Sequence, residues 1–119
     1  AAEPAGFDDT ARSLAAGHRV ANEPGLTSIC DSVLAPMPGE LTFEVNRRNL
    51  SGAVAVTDDE VIEAMRTAFR DLGLVAEPGG SVALASVLTG RFPLNGRTVA
   101  VTLSGSNVDL ASALQWMAG

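Results

Sequence analysis

Thr98-Val99-Ala100-Val101-Thr102-Leu103 runs straight into Ser104-Gly105-Ser106-Asn107-Val108-Asp109. A β-branched and apolar run without strict alternation is the pattern of a strand covered on both faces in a parallel sheet. The small polar residues after it make an exit loop, and a helix is predicted from Asp109 to Met117. A strand that leaves through a polar turn into a helix is the repeating unit of α/β proteins, which bind ligands beyond the carboxyl ends of their strands. Gly105 would let a ligand ring approach the backbone closely. An ordinary strand-to-helix turn with Asn107 or Asp109 as N-cap would use the same residues.

A second junction of this kind lies upstream. Leu74-Val75-Ala76 is a brief extended segment, Glu77-Pro78-Gly79-Gly80 a turn, and Ser81 to about Leu88 a helix of small residues closed by Gly90. Before it, Val54-Ala55-Val56 reads as a short strand, and Thr57-Asp58-Asp59-Glu60 offers a capping box. Val61, Ile62, Met65, Phe69 and Leu72 then recur at helical spacing, with Gly73 as the left-handed exit. Asp8 is the expected N-cap of a first helix that Gly17 ends. Residues 18–40 are rich in loop signals, Pro24-Gly25, Pro36 and Pro38-Gly39, around a short helix predicted from Thr27 to Leu34.

The composition bounds the class. A chain of 119 residues, 46% apolar and 18% charged, has material for one domain with a core. A net charge of −6 argues against nucleic acid or an anionic membrane as partner. No apolar run approaches the ~20 residues that span a bilayer. Cys30 is the only cysteine, so the chain forms no internal disulfide, which suits a reducing compartment. With no signal-peptide pattern at the start, the cytoplasm is the expected location. The start, Ala1-Ala2-Glu3-Pro4, reads as an interior cut, a start that removal of a leader or a cloning choice would equally give, and the end soon after Trp116 carries the expectation that no regulatory domain follows.

Five separated segments carry a wider likeness: Ser28-Ile29-Cys30-Asp31, Pro38-Gly39-Glu40-Leu41-Thr42-Phe43, Thr57-Asp58-Asp59-Glu60-Val61, Glu77-Pro78-Gly79-Gly80 and Leu103-Ser104-Gly105-Ser106-Asn107-Val108-Asp109-Leu110. In order and spacing they resemble the pyridoxal-phosphate-dependent serine/threonine dehydratase family, which includes serine racemase. The resemblance implies an α/β fold of the tryptophan synthase β type (fold-type II), with two domains and a mostly parallel sheet flanked by helices. Residues 1–119 would be the C-terminal part of the large cofactor-binding domain. The implied reaction is dehydration and deamination of a hydroxy amino acid such as L-threonine or L-serine. Serine racemase and 3-hydroxyaspartate dehydratase activities share these segments, and a non-catalytic small-molecule-binding α/β module is the reading from another class. An intact homodimer is expected.

The same resemblance assigns residues. Ser104 would hydrogen-bond the pyridine nitrogen of pyridoxal 5'-phosphate, with Gly105 beside it. Glu77 would stand at the edge of the cofactor pocket, although an acidic residue there also simply favours a helix N-terminus. Ser32 occupies a position near the cofactor where relatives commonly have glycine, so it would narrow the pocket. The eight basic residues are all Arg, so the Schiff-base Lys would come from the missing N-terminal part, together with the phosphate cradle and the substrate-carboxylate loop. No catalytic residue is assigned within the chain, and alone it would be inactive. Glu3, the Phe7 carbonyl and Asp9 correspond to a divalent-cation site; all-oxygen ligands select magnesium or calcium. The alternative is that Asp8 and Asp9 only favour the positive end of a helix.

The remaining candidates are structural. His18, the only histidine, is expected at the surface, and without a second His or paired Cys there is no zinc site. Cys30, among apolar neighbours and without an adjacent base, reads as a buried thiol. Arg47-Arg48 is a solvated charge pair, and Phe43, Phe69 and Trp116 are core or interface residues.

Overall fold

Thr57 begins the element around which the rest is organised. In the computed structural model, which describes residues 1–105 and 107–118, the Thr57 hydroxyl accepts from the Glu60 N–H at 3.3 Å, and the Glu60 carboxylate accepts from the Thr57 N–H at 2.7 Å. The capping box is therefore closed on both sides, and α3 runs from Asp58 to Leu72 until Gly73 turns it with φ +65. Before it come β1 (Ala2–Pro4), α1 (Asp9–Ala16), a 3-10 turn (Asp31–Val33), α2 (Glu40–Asn49) and β2 (Val54–Val56). After it come α4 (Pro78–Leu88) and α5 (Leu110–Met117).

β1 and β2 pair in parallel, with Ala2 opposite Val54 and Pro4 opposite Val56. Parallel strands joined through helices make the chain α/β, as expected. The core lies where β2, α3 and α4 meet: Cys30, Val56, Val61, Ala64, Met65, Val82 and Ala85 are buried together, with Trp116 of α5 packed against them. The small side chains of α4 bring it close to α3. The molecule is a slab, 40 × 39 × 19 Å. Its thin dimension is about two layers of secondary structure.

Three sequence expectations change. Thr98–Leu103 is extended but is not part of a sheet: among the described residues its backbone forms no hydrogen bond, because a strand needs a neighbour and β1–β2 lies across a gap from it. Only one face is covered, with Val99, Val101 and Leu103 half-buried and Thr98, Ala100 and Thr102 exposed. Leu74–Ala76 is extended outside any sheet, with the Leu74 N–H donating back to the Ala68 carbonyl at 3.1 Å. On α3 the buried stripe is Val61, Ala64, Met65 and Ala68, while Phe69 and Leu72 are 55% and 59% exposed. The helix predicted over Thr27–Leu34 shrinks to the 3-10 turn, and α2 and β1 were not predicted.

Candidate cofactor site

The turn before α4 brings the predicted residues together. Glu77 is the N-cap of α4 in extended geometry, and Pro78 at the first helical position needs no amide partner. The Glu77 N–H donates to the Gly105 carbonyl at 2.7 Å, and the Ser104 N–H donates to the Gly80 carbonyl at 3.4 Å. Two glycines make this approach possible. A Cβ on Gly80 would overlap the Ser104 carbonyl, and one on Gly105 would overlap the Glu77 carboxylate, which lies across it. Gly105 also has φ +75, a conformation side chains disfavour. From the other side the Ser32 hydroxyl fills the space where Gly79 lacks a side chain.

Ser32, Glu77, Ser104 and Gly105 thus meet around one helix N-terminus. The positive end of α4 faces them. Ser32, Ser104 and Gly105 are exposed and Glu77 is half-buried, so the arrangement is an open wall. The Ser104 hydroxyl makes no hydrogen bond among the described residues. Ser106 lies outside the described residues. Beside the wall is a cleft of about 200 Å³ bordered by Ile29, Asp31, Glu77, Asn107, Asp109 and Trp116. Asp109 caps α5 by accepting from the Ser112 N–H at 2.8 Å, and that bond holds its carboxyl below the usual range. The N-cap alternative for Asp109 is thus realised alongside the convergence at Ser104.

A hydroxyl is a suitable partner for a pyridine nitrogen, because it can donate one hydrogen bond and carries no charge. The expected close approach of a ring to the Gly105 backbone is not open on its Cβ side, because the Glu77 carboxylate occupies that space; the exposed face of the wall is the one left for a flat ring. The donor set and the open wall therefore fit pyridoxal phosphate on its ring-nitrogen side.

The second predicted constellation is organised differently from its parts. Asp8 makes no cap bond and instead pairs with Arg12 at 3.0 Å. Glu3 does the capping: its two carboxylate oxygens accept from the N–H groups of Thr10 and Ala11, each at 2.9 Å. Asp9 is buried and accepts from the Asn22 side-chain amide at 2.8 Å. Phe7 is buried beside them. Glu3, Asp9 and Ser32 border one cleft of about 420 Å³. No group of three or more His, Cys, Asp or Glu able to hold a metal occurs among the described residues. Two carboxylates and one carbonyl remain as an oxygen donor set, each carboxylate already engaged by protein donors.

His18 is exposed and Cys30 fully buried, both as expected. Burial pushes the Cys30 thiol up to about 11, the Ser28 hydrogen bond opposes this, and the negative charges of Asp58 and Asp31 add to it. Raised in this way and fully buried, the thiol is not poised as a nucleophile in the folded chain. Arg47 pairs with Glu44 at 2.6 Å on the surface of α2, and Phe43 is core. The chain has no helix long and apolar enough to cross a membrane among the described residues. Sequence reasoning missed the cap role of Glu3 and the contact of Gly80 with Ser104. Their signals were a Glu seven residues before Thr10 and a glycine pair at a helix start, both too common to single out.

Comparison with known proteins identifies the family of the chain. A family profile described as "Pyridoxal-phosphate dependent enzyme" matches residues 1–105. Serine racemase of Dictyostelium discoideum is 37% identical over 115 residues, which are 94% of this chain and 35% of that protein. A beta-hydroxyaspartate dehydratase of Paracoccus denitrificans is 34% identical over 98% of this chain and 36% of its own length. Among solved structures, maize serine racemase matches with a TM-score of 0.84 at 33% identity, over 98% of this chain and 36% of that one. A T.th. threonine deaminase matches with a TM-score of 0.82 at 36% identity, over 91% of this chain and 36% of that one. The chain spans about a third of the length of the curated relatives it matches.

Proposed function

Because the chain belongs to the pyridoxal-phosphate dependent enzyme family, we propose that it forms the ring-nitrogen wall of a cofactor site in an ammonia-lyase acting on a hydroxy amino acid such as L-threonine or L-serine. The meeting of Ser32, Glu77, Ser104 and Gly105 at the start of α4 carries this reading. Pyridoxal phosphate, when bound, supplies an electron sink at the substrate's amino-bearing carbon. Ser104 holds the ring nitrogen through a neutral hydroxyl, which does not keep that nitrogen protonated as a carboxylate would. The sink is then mild, and mild withdrawal suits loss of a β-hydroxyl followed by release of ammonia. Glu77, held over Gly105, borders the ring. Ser32 narrows the wall opposite.

Residues 1–119 act here as the C-terminal part of the large cofactor-binding domain. The rest of the enzyme supplies the Lys, since this chain holds none, and the phosphate and substrate-carboxylate contacts; the chain alone is inactive. The intact enzyme is a cytoplasmic homodimer. Glu3, the Phe7 carbonyl and Asp9 would hold magnesium or calcium beside the same wall. A second reading, serine racemisation, draws support from the serine racemases among the relatives.

The test uses the full-length protein. Ser104→Ala should weaken pyridoxal phosphate binding and turnover of L-threonine and L-serine. Ser104→Asp should change the partition between 2-oxo acid release and racemisation. Unchanged cofactor spectra and turnover in both variants would refute the assignment.

A further inference from the structure

We propose that Asp58 is a positioning residue that holds the Ser28–Ser32 segment in place as part of the pocket wall. The Ser28 hydroxyl donates to one Asp58 carboxylate oxygen at 2.6 Å, and the Ile29 N–H donates to the other at 3.1 Å. The Ser28 oxygen in turn accepts from the Cys30 N–H at 3.1 Å. Among the described residues, every hydrogen bond that leaves residues 27–33 ends on Asp58. Residues 19–28 before this segment contain no helix or strand. Its polar anchor is therefore this clamp, beside apolar packing in which Cys30 is buried in the core and Ile29 lies against it.

Asp58 is suited to the task. It is the first residue of α3, inside the closed capping box, so its backbone is fixed by Thr57, Glu60 and the core beneath Val61. The carboxylate also sits at the positive end of the helix. What it fixes faces the site: Ile29 and Asp31 border the cleft with Glu77, and Ser32 meets Gly79. Without the carboxylate, the Ile29 N–H and the Ser28 hydroxyl lose their partner and the segment gains freedom at the cleft.

The inference rests on the cofactor-wall reading, and the two are tested separately. In the full-length protein, uptake of pyridoxal phosphate by the wild type, seen in its absorption spectrum, tests that reading. Asp58→Ala, Asp58→Asn, Ser28→Ala and Ser28→Thr then test the clamp. Asp58→Ala should speed amide exchange at Ile29 and alkylation of Cys30, mapped by mass spectrometry, and weaken pyridoxal phosphate binding about tenfold. Ser28→Ala should do the same at Cys30, and Ser28→Thr, which keeps the hydroxyl, should restore both readouts. If Asp58→Ala does not fold, Asp58→Asn, of the same shape, carries the comparison. A wild type that takes up no pyridoxal phosphate defeats the functional reading. In a wild type that binds it, the clamp is overturned if Asp58→Ala and Asp58→Asn leave exchange and affinity unchanged, if exchange rises while affinity and spectrum stay fixed, or if Ser28→Thr behaves as Ser28→Ala.

Discussion

Helix α3 and the run from Thr98 to Leu103 meet their backbone demands in opposite ways. α3 closes its first turn with the Thr57–Glu60 box and its last with Gly73, and buries Val61, Ala64, Met65 and Ala68, with α4 and α5 packed on it. Thr98–Leu103 has the more β-prone sequence, yet its backbone finds no partner among the described residues until Ser104 reaches Gly80. A helix bonds within itself, whereas a strand is completed only by its neighbours. The first region carries its own stability. The second contributes geometry at one point and depends on what lies beside it.

This contrast can be broken at the core first. Met65→Ala, at a residue 2% exposed, should cost about 2–5 kcal/mol in urea unfolding; a loss below about 1 kcal/mol would mean that α3 is not the stabilising region. Gly80→Ala should cost about 1–3 kcal/mol, because the new Cβ meets backbone, and should raise amide exchange at Glu77 and Ser104 more than at α3. Equal increases in both regions would erase the distinction.

Thr57→Ala should cost about 1 kcal/mol. Its partner adds a pH test. The Thr57 backbone N–H, and after it Arg91, holds the Glu60 carboxyl below its ordinary 4.5. A lowered carboxyl contributes stability that is complete above the unfolded value and lost as pH falls through the folded one. The stability gap between wild type and Glu60→Gln should therefore be constant above about pH 4.5 and close at lower pH. A gap that persists in acid would show that the box contributes little through its charge. Smallest of all, Arg91→Ala removes a 2.9 Å ion pair in which Arg91 itself is exposed and should change stability by no more than about 0.5 kcal/mol.

What could be read in the sequence follows the same line. The box at Thr57, the glycine exits at Gly17 and Gly73, β2 and the helix after Asp109 depend on residues near one another, and all lie where expected. The fate of Phe69 and Leu72 does not: their spacing fits a buried stripe, but the slab places nothing over them. α2 escaped notice because Glu40–Asn49 is largely polar and buries only Phe43. At the site, Ser104 and Glu77 were visible through motif order. That Gly80 and Gly105 let them meet, and that Asp58 holds the segment opposite, depends on contacts 24–30 residues apart in the chain.

The bare edge at Thr98–Leu103 has a consequence for the chain in isolation. Six residues of high β-propensity with neither charge nor proline, whose N–H and C=O groups find no partner among the described residues, are a template for stacking against the same segment of other copies. Produced as these 119 residues alone, the polypeptide should form cross-β assemblies at high concentration, and Ala100→Lys, on the exposed face, should delay them.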